Sequence, residues 1–545
     1  MMATADAPSS AHEEATAAAV LTEELEAVVS TDIAAGDTLK VEAMAGSGKS
    51  TALRIYAERR PELQILYLTF TEAEAREKQA DYKRRGLSHV CVSTLHARAF
   101  QATFELHCGE VVNQLLLNAD SIAKLTCSSS LDWPAARRHA LRRVLERFLS
   151  SAAEELGDAH LTGESAPAGL LSAARAVWHA ACQGSVPLSH DMYLKLCCLS
   201  PALRASMFEG IDLVLLDEAH DCTEAQISLV EAPHGRTWAS IMVMDFRQRI
   251  YGWRRAASEA YLRALPSVAV RRLSFTWRFG GALAALVSTL LSHHTPDRRS
   301  AGVVVGNDRR RTQIREVESP PFAAVCGAGG CMVVVARTRR SLFQTAMSAV
   351  LSGAVDSISF GGNADAAYGM FGGREKLLDT YALSMGRSRE AMLLPQHGAA
   401  RFTELGFAAF RSAATTSDSR EAIEACFVVA QYGAALPQLL RKLDVALRSA
   451  SPRAVVLVSV HEAKGREWPL VYLHSDLRRQ VVRQAKGSLD RDGDADGSYR
   501  LNLVYVAMTR ATTTLFLPSS IVASWLRVIN AGLPGVARAL SEVKL

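Results

Sequence analysis

Short apolar runs alternate with helix-period segments along much of the chain. TLKVEAM (38–44), QILYLTF (64–70) and HVCVS (89–93) are each followed by a segment of helical periodicity. Continuous apolar runs of this length predict strands buried on both faces, and the alternation predicts a parallel sheet. The rhythm stops between about 105 and 205, where AARRHALRRVLERFLSSAAEEL (135–156) has helical spacing and no convincing strand is expected. IDLVLLDEAH (211–220) and SIMVMD (240–245) then restore it. A second α/β series opens near Arg271 and includes CMVVVAR (331–337), AVVLVSV (454–460), PLVYLHS (469–475) and TTLFLPS (513–519). Between them, 350–445 is rich in Gly and Ala and is expected to be mainly helical. The predicted class is α/β, with two parallel-sheet domains that each carry a mainly helical insertion. The expected boundaries are a disordered tail at 1–20, the first domain at 21–104 and 206–270 around an insertion at 105–205, and the second at 271–349 and 446–545 around an insertion at 350–445.

Composition adds that the chain is globular: 545 residues, 49% hydrophobic and 21% charged, enough core material for several domains. The net charge of +5 is only mildly basic. The arginines are clustered, however, as in RRHALRR (137–143), DRRRTQIR (308–315), ARTRR (336–340) and DLRRQVVRQ (476–484). Such clusters suit a phosphate backbone, and each also suits a solvated helix face. The ten cysteines form no CxxC and no zinc set, which predicts buried, reduced thiols. The N-terminus lacks the features of a signal or transit peptide, and no apolar run was expected to approach membrane-spanning length. A soluble intracellular protein with no membrane partner is the expectation, nuclear in a eukaryote and cytoplasmic in a bacterium.

The chemistry begins at VEAMAGSGKST (41–51). It matches the P-loop pattern except that Ala43 stands where a glycine is usual. Ala45, Gly46, Ser47 and Gly48 form the turn whose N–H groups can face phosphates at a helix N-terminus. Lys49 supplies a point charge, Ser50 a hydroxyl for Mg²⁺, and Thr51 a second hydroxyl. The competing reading, a glycine turn without ligand, is disfavoured by the strand before it and the helix after it. LVLLDEAHD (213–221) supplies the matching half. Asp217 is placed to hold Mg²⁺ with Ser50, and Glu218 to polarise an attacking water. ATP and Mg²⁺ are the expected cofactors.

With these motifs the chain resembles superfamily 1 helicases of the UvrD/Rep/PcrA type. LTFTEAEAREK (68–78) is similar to the family's VTFTNKAA, and VSTLHARAF (92–100) to its GTFHSLA. VMDFRQRIYGWRRA (243–256) is similar to VGDxxQsIYxFRGA, and LSFTWRFGG (273–281) to LxxNYRS. VSVHEAKGREWPLVYL (458–473) and NLVYVAMTRATTTLFL (502–517) resemble the last two segments. Within that group SHDMYLKLCCLS (189–200), the DC at 221–222 and Asn502 lean towards the F-box DNA helicases. No F-box is expected before the helicase core, so a ubiquitin-ligase role is not expected either.

The resemblance implies two RecA-like domains and an ATP-dependent enzyme that moves 3′→5′ on single-stranded DNA and unwinds duplex junctions, in repair or recombination. It implies that Gln248 senses the γ-phosphate and that Arg278 and Arg510 act as arginine fingers, a role that elsewhere raises rates about 10³–10⁵-fold. Trp277 is expected to stack on adenine and Glu467 to contact ribose. Phe70, His96, Tyr251, Trp253 and His461 are expected to touch the nucleic-acid strand, where stacking contributes about 1–3 kcal/mol per base. Two other readings remain open here: a catalytically weak helicase-like scaffold, and a P-loop ATPase directed to RNA.

Some positions depart from the family pattern. Leu25 stands where a glutamine reads the adenine edge, which relaxes the expected base selectivity or leaves the role to Glu26. Met244 and Arg255 stand where glycines are common, and Ser459 replaces a threonine. DGDADG (492–497) opens like a calcium loop, but its closing position is Leu503, so a solvated loop is expected.

Overall fold

The computed structural model describes residues 21–104, 111–112, 135–161, 169–186, 188–231, 236–294, 303–361, 364–387, 402–416, 419–478 and 498–530. The expected N-terminal tail and the DGDADG segment lie outside these residues. The chain divides into two compact units. One comprises Met1–Ala43, Ser47–Phe246 and Arg254–Phe275; the other comprises Met44–Gly46, Arg247–Trp253 and Thr276–Leu545.

In the first unit, helix α1 (Glu23–Val29) leads to strand β1 (Thr38–Ala43), helix α2 (Lys49–Glu58) and strand β2 (Ile65–Thr69). Helix α3 (Glu72–Arg84), strand β3 (Val90–Thr94) and helix α4 (Leu95–Ala102) follow. Thr71 starts α3 with a capping box, its hydroxyl accepting from Glu74 N–H while the Glu74 carboxylate accepts from Thr71 N–H. The two-residue strands β4 (Val111–Val112) and β5 (Leu188–Ser189) pair with each other. Strands β6 (Leu213–Leu216), β7 (Ala239–Met244) and β8 (Ala269–Leu273) complete a six-stranded sheet in the order β3-β2-β6-β7-β1-β8, parallel throughout.

Side chains on a strand alternate between faces, and here both faces are covered. Tyr67, Leu213, Leu215, Ile241 and Val243 pack with Leu53 and Tyr56 of α2. Leu66, Leu68, Val214, Leu216 and Met242 pack with Leu145 and Phe148 of the helix Ala135–Ser150. Met244 is accommodated in this second layer, 1% exposed.

The second unit repeats the plan. Strands β9 (Gln313–Val317), β10 (Cys331–Ala336), β11 (Ser357–Phe360), β12 (Ala454–Ser459), β13 (Trp468–Leu473) and β14 (Ala511–Pro518) form a parallel sheet in the order β11-β12-β10-β13-β14-β9. Val333, Val335 and Leu515 enter one core, and Val334, Leu457 and Phe516 enter the other. Both sheets have the doubly covered parallel architecture of RecA-like α/β domains.

Several expectations are corrected. Ser357–Phe360 is a strand inside a stretch expected to be mainly helical, and β4 and β5 both lie inside the other. Strands β8 and β9 had no counterpart in the apolar pattern. Their alternate residues are partly exposed, so no continuous apolar run marks them. Arg420–Arg448 is in fact long and apolar enough to cross a membrane by length and composition. It is built as two helices, Arg420–Tyr432 and Leu436–Arg448, joined by a short turn at Gly433–Ala435. Val428, Val429, Leu440 and Leu443 from these helices are buried in the second unit's core. Among the described cysteines Cys197, Cys222, Cys326 and Cys426 are buried, as expected, but Cys91, Cys182 and Cys331 are exposed.

Lys195, on the helix His190–Leu199, is fully buried. Its ammonium donates to Ser151 O at 2.7 Å and Ala153 O at 2.6 Å and sits 4.5 Å from the centre of the Phe148 ring. Burial pushes its pKa down from 10.5 to about 8. Between those values the unfolded chain binds a proton that the folded chain does not, so stability rises with pH across that window and is flat below it. The shift corresponds to about 3 kcal/mol. Urea unfolding from pH 7 to 10.5 should show this rise in the wild type relative to Lys195→Met. Parallel curves would mean that the ammonium is not desolvated.

Candidate functional site

The chemistry of the first unit gathers where its strands end. Gly48, at φ 86°, is the cap of α2, and Lys49 is the first helical residue. Left-handed backbone here costs glycine nothing and turns the chain sharply into the helix. Ser47 Oγ is buried and makes no hydrogen bond within the protein. A buried hydroxyl at a helix N-terminus that lacks a partner fits an anionic ligand.

Strand β6 carries Asp217 and Glu218 past its last buried residue. Asp217 is 7% exposed. Its Oδ2 accepts from Tyr67 OH at 2.7 Å and lies 3.4 Å from Ser50 Oγ, and its Oδ1 accepts from Glu218 N–H at 3.0 Å. Tyr67 is positioned by the in-register pairing of β2 with β6, Tyr67 opposite Leu215. Burial, and next the Asp217 charge, raise the Tyr67 pKa well above its ordinary value, so the phenol remains a donor.

Lys78, from α3, donates to Ser50 Oγ at 3.1 Å and lies 3.6 Å from Asp217 Oδ2. An ammonium therefore stands beside the two oxygen donors expected to hold Mg²⁺. Hard oxygen donors side by side, with a cation already drawn to them, fit a hard divalent ion. Neither Tyr67 nor Lys78 was singled out by motif. Lys78 closes the LTFTEAEAREK segment, whose spacing signals a strand and a helix but not where the ammonium ends up.

Glu218 occupies the left-handed region, φ 54° and ψ 37°. Its Oε1 lies 3.6 Å from Lys49 Nζ, and Lys49 is 3.9 Å from Asp245 Oδ2 at the end of β7. Glu218 Oε2 is 3.1 Å from His220 Nε2. Among the described residues, Glu218, His220 and Asp221 are a group with ligand atoms close enough to hold a metal. His220 Nδ1, however, accepts the Asp245 N–H at 3.0 Å, which puts the neutral ring's proton on Nε2. A protonated Nε2 donates and does not ligate.

A recess brings Phe70 and His96 together with Asp217, Thr69, Thr94 and Gln226. His96 Nε2 lies 3.7 Å from Asp191 Oδ1 and its ring meets Tyr193 edge-on. The Arg254 guanidinium lies 5.8 Å from the Phe70 ring centre. At the other end of the sheet Leu25 is buried, and Glu26 is engaged by Arg59 at 2.7 and 2.9 Å. The carboxylate that reaches the segment after β8 is instead that of Glu24. It accepts from Ser274 N–H and Ser274 Oγ, both at 2.6 Å.

In the second unit Ala45 N–H donates to Tyr505 OH at 2.8 Å, and Ala45 O accepts from Thr276 Oγ1 at 2.8 Å. Gly46, at φ 72°, has no room for a Cβ, which would lie 2.6 Å from Arg278 Cβ. Trp277 is 40% exposed, and its N–H donates to Gly46 O at 2.8 Å. Arg278 donates to Glu467 Oε2 at 2.6 Å and to Thr509 O at 3.0 Å, so the expected finger and the expected ribose contact are paired. Arg510 is buried, with its guanidinium on Val506 O, Arg466 O and Thr509 Oγ1.

The segment after Gln248 is held by its carbonyls. Lys464 Nζ donates to Gln248 O at 3.1 Å, Asn502 Nδ2 to Arg249 O at 3.0 Å, and His461 Nε2 lies 3.2 Å from Ile250 O. Tyr251 OH donates to His461 O at 3.4 Å, and their rings are 5.6 Å apart. Tyr251 and His461 are thus brought together, and the sequence offered Lys464 no role. Trp253 lies in the short turn Gly252–Arg254.

Residues 21–269 match the family model of the UvrD/REP helicase N-terminal domain. The chain is 26% identical over 536 residues to F-box DNA helicase 1 of Gallus gallus, an alignment covering 92% of this chain and 49% of that protein. It is 30% identical over 297 residues to F-box DNA helicase protein 1 of Schizosaccharomyces pombe, covering 50% of this chain and 33% of that one. The chain thus spans about half the length of the first relative and a third of the second.

A left-handed glutamate stores strain, about 1–2 kcal/mol for a residue with a Cβ. Glu218→Gly should therefore keep or raise thermal stability, by about 1 kcal/mol, while removing the carboxylate. A thermal midpoint lowered by several degrees would show that the Lys49 and His220 contacts outweigh the strain.

Proposed function

We propose, from the match of residues 21–269 to the UvrD/REP helicase N-terminal domain, that this chain is an ATP-dependent DNA helicase that moves 3′→5′ on single-stranded DNA and unwinds duplex in repair or recombination. The observation that carries the reading is the assembly of Lys49, Ser50, Asp217 and Glu218 at the strand ends of one sheet. In this reading two RecA-like domains each carry a mainly helical insertion, with β11 (Ser357–Phe360) part of the second sheet and not of the insertion.

In this reading the P-loop N–H groups and Lys49 bind the phosphates, with Ser47 Oγ gaining the partner it lacks. Ser50 and Asp217 would hold Mg²⁺, which when bound would supply charge neutralisation on the phosphate oxygens. Lys49, now 3.6 Å from Glu218, turns to phosphate and leaves that carboxylate to orient water. Arg278 exchanges Glu467 for the developing charge of the transition state. Phe70, His96, Tyr251, Trp253 and His461 are assigned to strand contact from the motifs they belong to. His461 and Lys464, through the carbonyls at 248–250, carry the strand's presence to Gln248. Trp277, half-exposed, offers a face to the base.

The test is steady-state ATP hydrolysis with and without single-stranded DNA, with single-stranded RNA as a competitor. Hydrolysis should be stimulated by DNA and fall at least about 100-fold in Lys49→Ala. DNA binding without hydrolysis would replace the motor with the scaffold reading, and equal stimulation by RNA would remove the DNA assignment.

A further inference from the structure

We propose that His220 is a positioning residue for Glu218, fixing the carboxylate that orients the attacking water. The inference rests on the proposed role of Glu218 and adds a residue to it. His220 is completely buried. A buried imidazole calls for polar groups at its ring nitrogens. Asp245 N–H donates to Nδ1 at 3.0 Å, and the proton thereby placed on Nε2 faces Glu218 Oε2 at 3.1 Å. Asp221 Oδ1 lies further off, at 3.9 Å.

The geometry separates the two carboxylate oxygens. Oε1 faces Lys49 at 3.6 Å, a contact that is exchanged once Lys49 binds phosphate. Oε2 faces an imidazole locked to the backbone of the neighbouring strand, so that contact persists. Strands β6 and β7 pair in parallel, Leu216 opposite Met242. His220 thus links the segment after β6 to the residue after β7, giving Glu218 a fixed reference that does not depend on the nucleotide. The backbone of Glu218 needs such support, since its left-handed conformation is costly unless its surroundings impose it.

The experiment compares the wild type with His220→Gln, His220→Asn and His220→Ala in DNA-stimulated ATP hydrolysis, with Glu218→Gln and Lys49→Ala as references. A glutamine can accept from Asp245 N–H and still donate to Glu218. An asparagine keeps the first bond and is too short for the second. The expected result is that His220→Asn and His220→Ala lose about 10–100-fold in kcat, the range for partners that orient a catalytic group. KM for ATP and the midpoint for DNA binding should stay within about 2-fold, and His220→Gln should recover most of kcat. The Asn and Gln variants, one methylene apart, keep the test valid if His220→Ala does not fold. A wild-type kcat in His220→Asn, alongside an inactive Glu218→Gln, would overturn the positioning role and leave the helicase reading intact. Equal losses in the Gln and Asn variants, with KM raised, would overturn it in favour of a packing role. A wild type that hydrolyses no ATP would overturn both.

Discussion

The first unit depends on seating one carboxylate in a nearly dry place. Asp217 sits at the end of a strand whose four residues are all buried, and removing an unpaired carboxylate from water costs several kcal/mol. The cost is offset locally by the Tyr67 hydroxyl, the Glu218 amide and the Lys78 ammonium. Each comes from a different part of the fold. Tyr67 depends on the register of β2 against β6, the amide on the left-handed turn at Glu218, and Lys78 on the capped start of α3. A slip of one residue in β2 would send Tyr67 to the opposite face and leave Asp217 without its shortest hydrogen bond. Sheet register and site chemistry are therefore one constraint.

Legibility in the sequence followed burial. The central strands β1, β2, β6 and β7, and β10, β12, β13 and β14 in the second unit, announce themselves as apolar runs because both faces are covered. Three of the four sheet edges, β8, β9 and β11, do not, since an edge strand needs only part of its surface buried. Lys49, Ser50, Asp217 and Glu218 were legible because spacing and flanking strands define them. Tyr67, Lys78, Glu24 and Lys464 were not, because their importance lies in what they meet across the fold. The substitute for Leu25 was sought at Glu26, one position along, yet Arg59 holds that side chain on the helix surface. Glu24 is the member of that run whose carboxylate reaches the segment after β8.

Two residues with side chains adopt positive φ among the described residues, Glu218 and Arg255. Arg255 stands where the family commonly has glycine, and its φ of 60° accounts for that preference. What arginine adds is reach. Its guanidinium lies 3.5 Å from Glu146 on the helix Ala135–Ser150 and near enough to Arg147 on that helix to interact with its charge. A partly exposed pair of this kind contributes at most about 1 kcal/mol, which does not exceed the backbone cost. The arginine is therefore not explained by stability.

The second unit shows how an expected role and an observed contact can both be informative. Arg510 was expected to meet a phosphate, and its guanidinium instead satisfies two carbonyls and a hydroxyl of its own unit. Withdrawing it would leave Val506 O, the final turn of its helix and Arg466 O without those donors, and buried carbonyls are costly to strand. Arg278 is bound differently, to the exposed carboxylate of Glu467 and one carbonyl. Exchanging an exposed carboxylate for a phosphate oxygen costs little, because water takes over the released partner. By that difference, Arg278 is held less firmly than Arg510, and Arg510 braces Thr509, whose carbonyl Arg278 also meets.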